Sequence, residues 1–193
     1  MADPTPANTH VCPWWGGYLL TSPLRRLFEN PDRMLDSLVQ PGMTVLEPGC
    51  GMGFFTLPLA RMVGPSGRVV CVDLQQKMLD GLARRARRAG LLDRLELRVC
   101  GPRELGIGDW AGRIDLAIAI HMVHETPDPE AFLRECHRAL RPGGALLIRE
   151  PRGHVPRAQF ESFIATAAAI GLTGARPHGS GRGLSVVVRK PAA

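Results

Sequence analysis

Residues 45–53 read VLEPGCGMG, and the fold turns on them. They continue a short apolar run, MTVLEP (43–48), with the length and bounded form of a buried strand. The run ends in Gly49, Gly51 and Gly53, which let the backbone turn sharply and approach a ligand closely. A dinucleotide-binding turn wants G-x-G-x-x-G, its last glycine packing helix on strand. Here that position is Phe54, too large for the job, and the spacing is E-x-G-x-G-x-G with Glu47 in front.

A carboxylate at Glu47, on the ligand's side of the strand, repels a pyrophosphate and welcomes an ammonium group. A second apolar run, GRVVCVDL (67–74), carries Asp73, twenty residues after Gly53. A carboxylate there can accept both hydroxyls of a ribose. The pocket therefore calls for a nucleoside with an amine and no phosphates. S-adenosylmethionine, which becomes S-adenosylhomocysteine on losing its methyl group, has that chemistry.

Working outward, strands and helices alternate. FFTLPLARMVG reads as a helix with Pro58 near its first turn, where a missing N–H is tolerable. Residues 75–89 form another, with Met78, Leu79, Leu82 and Ala86 on one face and Gly90 as its stop. RLELRVC (94–100) and IDLAIAI (114–120) are strands three and four. Asp128, Pro129 and Glu130 open a helix with inner face Phe132, Leu133, Cys136 and Leu140, and RPGG ends it. ALLIRE (145–150) is strand five, and a helix over 157–170 ends at Gly171. Two short strands, about 172–176 and 184–189, make an antiparallel hairpin. Such alternation predicts an α/β fold whose mostly parallel sheet is covered on both faces and binds ligands at its strand carboxyl ends.

The 193 residues make one domain or one domain with an appendage, long enough to bury a real core. Net charge is +6, but Lys77 and Lys190 are the only lysines among 24 basic residues, and the arginines are spread along the chain. This reads first as compositional bias and second as an anionic partner. Five irregularly spaced cysteines point to reduced thiols in a cytoplasmic protein. The start, MADPTPANTH, has no signal-peptide pattern, and no run approaches the ~20 apolar residues of a membrane span.

Taken together, the chain resembles a class I S-adenosylmethionine-dependent methyltransferase of the small-molecule branch, over residue 41 to about 190. VLEPGCGMG resembles the family's first motif, VVCVDL its second, IDLAIAIHMVHE its fourth and LRPGGALLIRE the segment around strand five. The resemblance implies a Rossmann-like seven-stranded sheet of order 3-2-1-4-5-7-6 with strand seven antiparallel. It implies that Glu47 and the loop Gly49, Cys50, Gly51, Gly53 hold the methionine part of the cofactor. Asp73 would bind the ribose, and Leu74 would lie against the adenine. Relatives often carry an Asp after strand three for the adenine amine. This chain has CGPREL there, leaving Glu104 or a backbone carbonyl to serve.

On the substrate side, His121, Met122, His124 and Glu125 follow strand four, and Glu150 and His154 follow strand five. A histidine suits removal of a proton from the methyl acceptor, so His121, His124 and His154 are the catalytic candidates. His121 leads them because it is also expected to face the cofactor. Each could instead cap or pack under the next helix. Glu125 and Glu150 would orient a neighbour or meet substrate. His10, Cys12 and His154 are candidate metal ligands, although HMVHE is neither a zincin order nor a structural-zinc spacing.

Residues 1–40 are expected to form an N-terminal lid and substrate segment, and 41–193 the cofactor-binding domain. HVCPWWGGYLL (10–20) holds Trp14, Trp15 and Tyr18, aromatic enough to wall an apolar substrate pocket, with Cys12 beside them. The same aromatics could instead seal the bottom of the domain. Residues 22–39 read as a helix or two carrying Leu24, Leu27 and Phe28.

The leading expectation is methyl transfer to a small molecule by a monomer or homodimer. An RNA or protein methyltransferase is the alternative, favoured by the pI of about 9.6 and the Arg84–Arg88 cluster. It is disfavoured because HMVHE stands where an N-P-P-Y-type tetrapeptide would be. A non-catalytic cofactor-binding module is a third reading. A nicotinamide oxidoreductase is disfavoured by Phe54 and Glu47.

Overall fold

The computed structural model describes Thr21 and residues 24–151, 153–179 and 184–192. Two short helices, α1 (Arg25–Phe28) and α2 (Pro31–Leu35), precede the sheet. The Asn30 side chain accepts from the Arg33 N–H, and Pro31 occupies the first turn, so α2 starts on a local cap. Then come β1 (Thr44–Pro48), α3 (Thr56–Met62), β2 (Arg68–Asp73), α4 (Gln76–Arg88), β3 (Leu95–Val99), β4 (Ile114–Ile120) and α5 (Pro129–Ala139). The chain continues through β5 (Leu140–Glu150), α6 (Arg157–Ala169), β6 (Thr173–Pro177) and β7 (Leu184–Arg189).

The seven strands form one sheet in the order β3-β2-β1-β4-β5-β7-β6. The pairs among the first five are parallel, and β7 runs antiparallel to both β5 and β6. This is the expected order and the expected antiparallel strand. Because side chains alternate along a strand, successive residues feed different cores. Leu46, Val70, Val72, Ala117, Leu146 and Ile148 pack in one cluster with Leu133 of α5 and Phe163 of α6. Val45, Val69, Cys71, Leu116, Ile118 and Leu147 pack in the other, with Leu35 of α2, Leu59 of α3 and Leu82 of α4. Met78, Leu79, Leu82 and Ala86 are all buried, as the face of α4 predicts.

Two elements differ from expectation. RPGG lies inside β5 rather than between helix and strand: α5 stops at Ala139, and Leu140 opens β5 opposite Ile114. The backbone at Gly144 passes so close to the carbonyls of Arg141, Ile114 and Asp115 that a Cβ there would meet them at 2.9–3.2 Å. Leu140, expected on the helix, is still fully buried. On α1, Leu24, Leu27 and Phe28 are 67%, 77% and 85% exposed, so this apolar set is not covered by the described residues. Leu35 and Val39 supply the buried apolar groups of that region instead.

At the sheet edge, β6 is exposed at every position, its register slips between Thr173 and Arg176, and it ends in Pro177. Among the described residues no helix is long and apolar enough to cross a membrane.

Candidate functional site

Parallel strands β1, β2 and β4 end at one edge, and the turns that leave them enclose a cavity of about 410 Å³. Glu47 is the fourth residue of β1 and only 4% exposed. It accepts a hydrogen bond from the Thr56 hydroxyl at 2.6 Å, where α3 begins. Burial raises its carboxyl to about 8, with the nearby Asp73 adding to the shift and the Thr56 hydroxyl opposing it. Its protonated form is therefore favoured until a cation arrives to partner it.

The loop after β1 holds Gly49, Gly51 and Gly53 at φ of 68°, 52° and 85°, in the left-handed region that other residues enter at a cost. A side chain at position 49 would collide with the Met122 thioether. At Gly51 the space beside the backbone is open, and its N–H donates to the Asp73 carboxylate at 2.8 Å. Asp73 also accepts from the Gln75 N–H at 2.9 Å. Burial raises its carboxyl, while those two backbone bonds pull the other way. Cys50 is buried beside Cys71, and burial pushes its thiol well above the usual range, so it packs as a small apolar group rather than a nucleophile.

Leu74, Cys100, Gly101 and Glu104 line the same cavity beyond Asp73. The 101–105 turn is braced by a residue the sequence reading passed over: Glu135 of α5 accepts from the Leu105 N–H at 2.8 Å. A carboxylate between the inward-facing Phe132 and Cys136 was the available signal.

His121, His124, Glu125 and His154 line the same cavity. His121 follows β4 at φ 57°, the one described non-glycine residue in the left-handed region. Its N–H donates to the Arg149 carbonyl at 2.7 Å. Burial lowers its imidazole to about 4, with Glu29 opposing and Arg25 and Arg149 adding, so at neutral pH it is uncharged. Its Nε2 lies 3.4 Å from Glu29 Oε1. Glu29 itself is also engaged by Arg25, at 2.8 Å, and by the buried Arg149, at 3.4 Å. This cluster ties α1 to the end of β5, and the sequence reading did not contain it, because its members are 120 residues apart.

Glu150 is fully buried and does not line the cavity. Its Oε2 lies 2.6 Å from His124 Nδ1, and its Oε1 accepts from the Val123 and His124 N–H groups. The His124 and His154 rings meet edge-on at 5.8 Å between centroids. Of the expected metal ligands, His10 and Cys12 lie outside the described residues, as do Trp14, Trp15 and Tyr18. Among the described residues no three of His, Cys, Asp and Glu stand together as a metal site, and His154 is described without such a group.

The family model described as "Methyltransferase domain" matches residues 46–148, from β1 through β5, more than half of the chain. The chain belongs to that family. This methyltransferase domain is 38% identical over 119 residues to an uncharacterized 37.1 kDa protein in transposon TN4556 of Streptomyces fradiae, covering 61% of the chain and 33% of that protein. It is 31% identical over 129 residues to a demethylmenaquinone methyltransferase of Lactobacillus johnsonii, covering 65% and 52%. The domain thus spans about half or less of these curated relatives. In fold it is similar to a SAM-dependent methyltransferase from Aquifex aeolicus, with a TM-score of 0.79 at 22% identity over 93% of this chain and 100% of that one. The fold, with order 3-2-1-4-5-7-6, is that of the class I S-adenosylmethionine-dependent methyltransferases.

The methyltransferase domain fits that cofactor on its own geometry. The open backbone at Gly51, the buried carboxyl of Glu47, with no cation beside it among the described residues, and the strand-end Asp73 suit a ligand bearing an ammonium and a diol.

Proposed function

We propose that the chain binds S-adenosylmethionine at the carboxyl edge of β1 and β2 and transfers its methyl group to a small, largely apolar molecule. The observation that carries the reading is the mixed lining of one cavity. Glu47, Asp73 and the positive-φ glycines line the same cavity as Ile118, Ile120, Met122, Phe132 and the histidines, so polar cofactor groups and apolar surface share one space. The bound cofactor supplies a methyl group activated by a sulfonium, which leaves as a neutral thioether.

Glu47 and the Gly49–Gly53 loop, Cys50 included, would hold the methionine end, Asp73 the ribose, and Leu74 and the Glu104 turn the adenine. Apolar walls exclude water and orient the acceptor, so that nucleophile and methyl carbon are held in line. The N-terminal segment, residues 1–40, would cover this mouth, with Cys12, Trp14, Trp15 and Tyr18 on the substrate and residues 41–193 forming the cofactor domain. The kinship with a demethylmenaquinone methyltransferase supports a small apolar acceptor. A nucleic-acid acceptor has less support: within the Arg84–Arg88 cluster, Arg85 donates to the Met52 carbonyl beside the glycine loop and is committed to the fold.

Isothermal calorimetry tests the cofactor half. S-adenosylmethionine and S-adenosylhomocysteine should bind and NADH should not; tight NADH uptake with no heat from the other two would overturn the reading. For the acceptor half, Trp14→Ala and Trp15→Ala should raise acceptor KM before cofactor affinity falls, whereas lost thermal stability with unchanged kinetics would count against a lid.

A further inference from the structure

The turn Val123–Glu125 after β4 is tied to the last residue of β5 through one carboxylate. Glu150 Oε1 accepts from the backbone N–H groups of Val123, at 2.9 Å, and His124, at 3.3 Å. Those two bonds alone would fasten the turn, and a neutral amide oxygen would serve for them. The other oxygen, Oε2, reaches the imidazole at 2.6 Å. A carboxylate with no exposure is costly to keep ionised, and burial accordingly raises Glu150 to about 7, against the pull of the two N–H donors. When ionised, it stabilises a positive charge on the ring beside it. With Glu150 ionised, the contact places the ring's proton on Nδ1 and leaves the Nε2 lone pair for the cavity that His124 lines.

Among the described residues, the groups facing that ring do not use the lone pair. Glu125 Oε1 is 3.9 Å from Nε2, beyond a hydrogen bond. His154 meets the ring edge-on, and its side chain is exposed. His121 is turned to Glu29, and its imidazole, lowered by burial to about 4, is a poor base at neutral pH. Asp73 accepts from the Gly51 and Gln75 N–H groups rather than from this ring.

We infer that His124 is the group that takes the acceptor's proton, that Glu150 positions and charges it for that task, and that the acceptor is a weakly acidic hydroxyl of the phenol or enol class. This deepens the methyl-transfer reading and rests on it. A neutral amine offers its lone pair without a base, whereas a hydroxyl holds its proton until attack. In the step, the acceptor's O–H bond breaks and the proton goes to Nε2. The acceptor's electron pair forms the bond to the methyl carbon, and the carbon–sulfur pair returns to sulfur. A cationic donor, a neutral hydroxyl and a neutral imidazole become a neutral thioether, a methylated product and an imidazolium beside Glu150.

The test uses the full chain saturated with S-adenosylhomocysteine and labelled with ¹⁵N-histidine, with 4-nitrophenol as probe at a pH where the free phenol is mainly un-ionised. The signals lost in His124→Gln assign the ring. His124 should show a protonated Nδ1 and a bare Nε2. Adding the probe should raise the yellow phenolate band and protonate Nε2. His124→Gln should bind the probe without the band, and Glu150→Gln should mix the tautomers and weaken the band about tenfold. If Glu150→Gln does not fold, the wild-type tautomer and His124→Gln decide alone. An Nε2–H tautomer in the wild type, a band that survives in His124→Gln, a probe bound un-ionised, or no probe binding overturns the inference. Failure of the wild type to bind S-adenosylhomocysteine in calorimetry is separate and sinks the cofactor reading instead.

Discussion

Glu47 makes a prediction that follows from one buried proton. Its carboxyl sits at about 8 in the fold against an ordinary 4.5, so the folded state holds the proton more tightly than the unfolded chain. Stability must therefore fall as pH rises from about 4.5 to about 8 and level off above. Denaturant melts across that range should show a shallower fall for Glu47→Gln than for the wild type. If an ammonium docks against Glu47, binding of S-adenosylhomocysteine at pH 7 should release a proton, seen as a dependence of calorimetric heat on buffer ionisation enthalpy, and Glu47→Gln should lose it. The residue type and position were legible in the sequence, because E-x-G-x-G-x-G stands at a strand end. Its Thr56 partner was not, since a hydroxyl nine positions on carries no signal until α3 is placed.

Along each strand, burial decides which substitutions matter. Leu146 of β5 is fully buried and Leu27 of α1 is 77% exposed, though both are leucine. Leu146→Ala should cost about 2–5 kcal/mol in urea melts, while Leu27→Ala should stay within about 0.5 kcal/mol. The sequence placed the first in a strand of a sheet covered on both faces, since ALLIRE reads as strand five, but did not foresee the second, because an apolar helix face looks the same whether or not anything covers it. The same limit applies to RPGG. Proline and two glycines read as a helix stop, but α5 ends at Ala139, before them. That the chain leaves already extended, with Gly144 pressed against three carbonyls, depends on strand pairing to Ile114 and appears only in three dimensions. Caps fared better, because Asp128 accepts from Ala131 N–H within its own turn.

The whole molecule is joined across its mouth by a cluster that no local pattern announces. Glu29, beside α1, meets Arg25, His121 and Arg149 from three separate elements. Burial pushes its carboxyl up, but His121, Arg25 and Arg149 outweigh that and hold it below the usual range. A depressed carboxyl stabilises above its unfolded value and loses that contribution as pH falls through its folded value. Native-state hydrogen exchange should thus show α1 opening before the sheet on acidification. Glu29→Gln should open it at neutral pH, with the β1, β4 and β5 amides still protected. On the far flank, β6 has a slipped register and a terminal proline, which break the regular row of N–H and C=O groups an edge strand would present. Ribbon growth by strand accretion, the usual hazard of an open β margin, finds no template on that side.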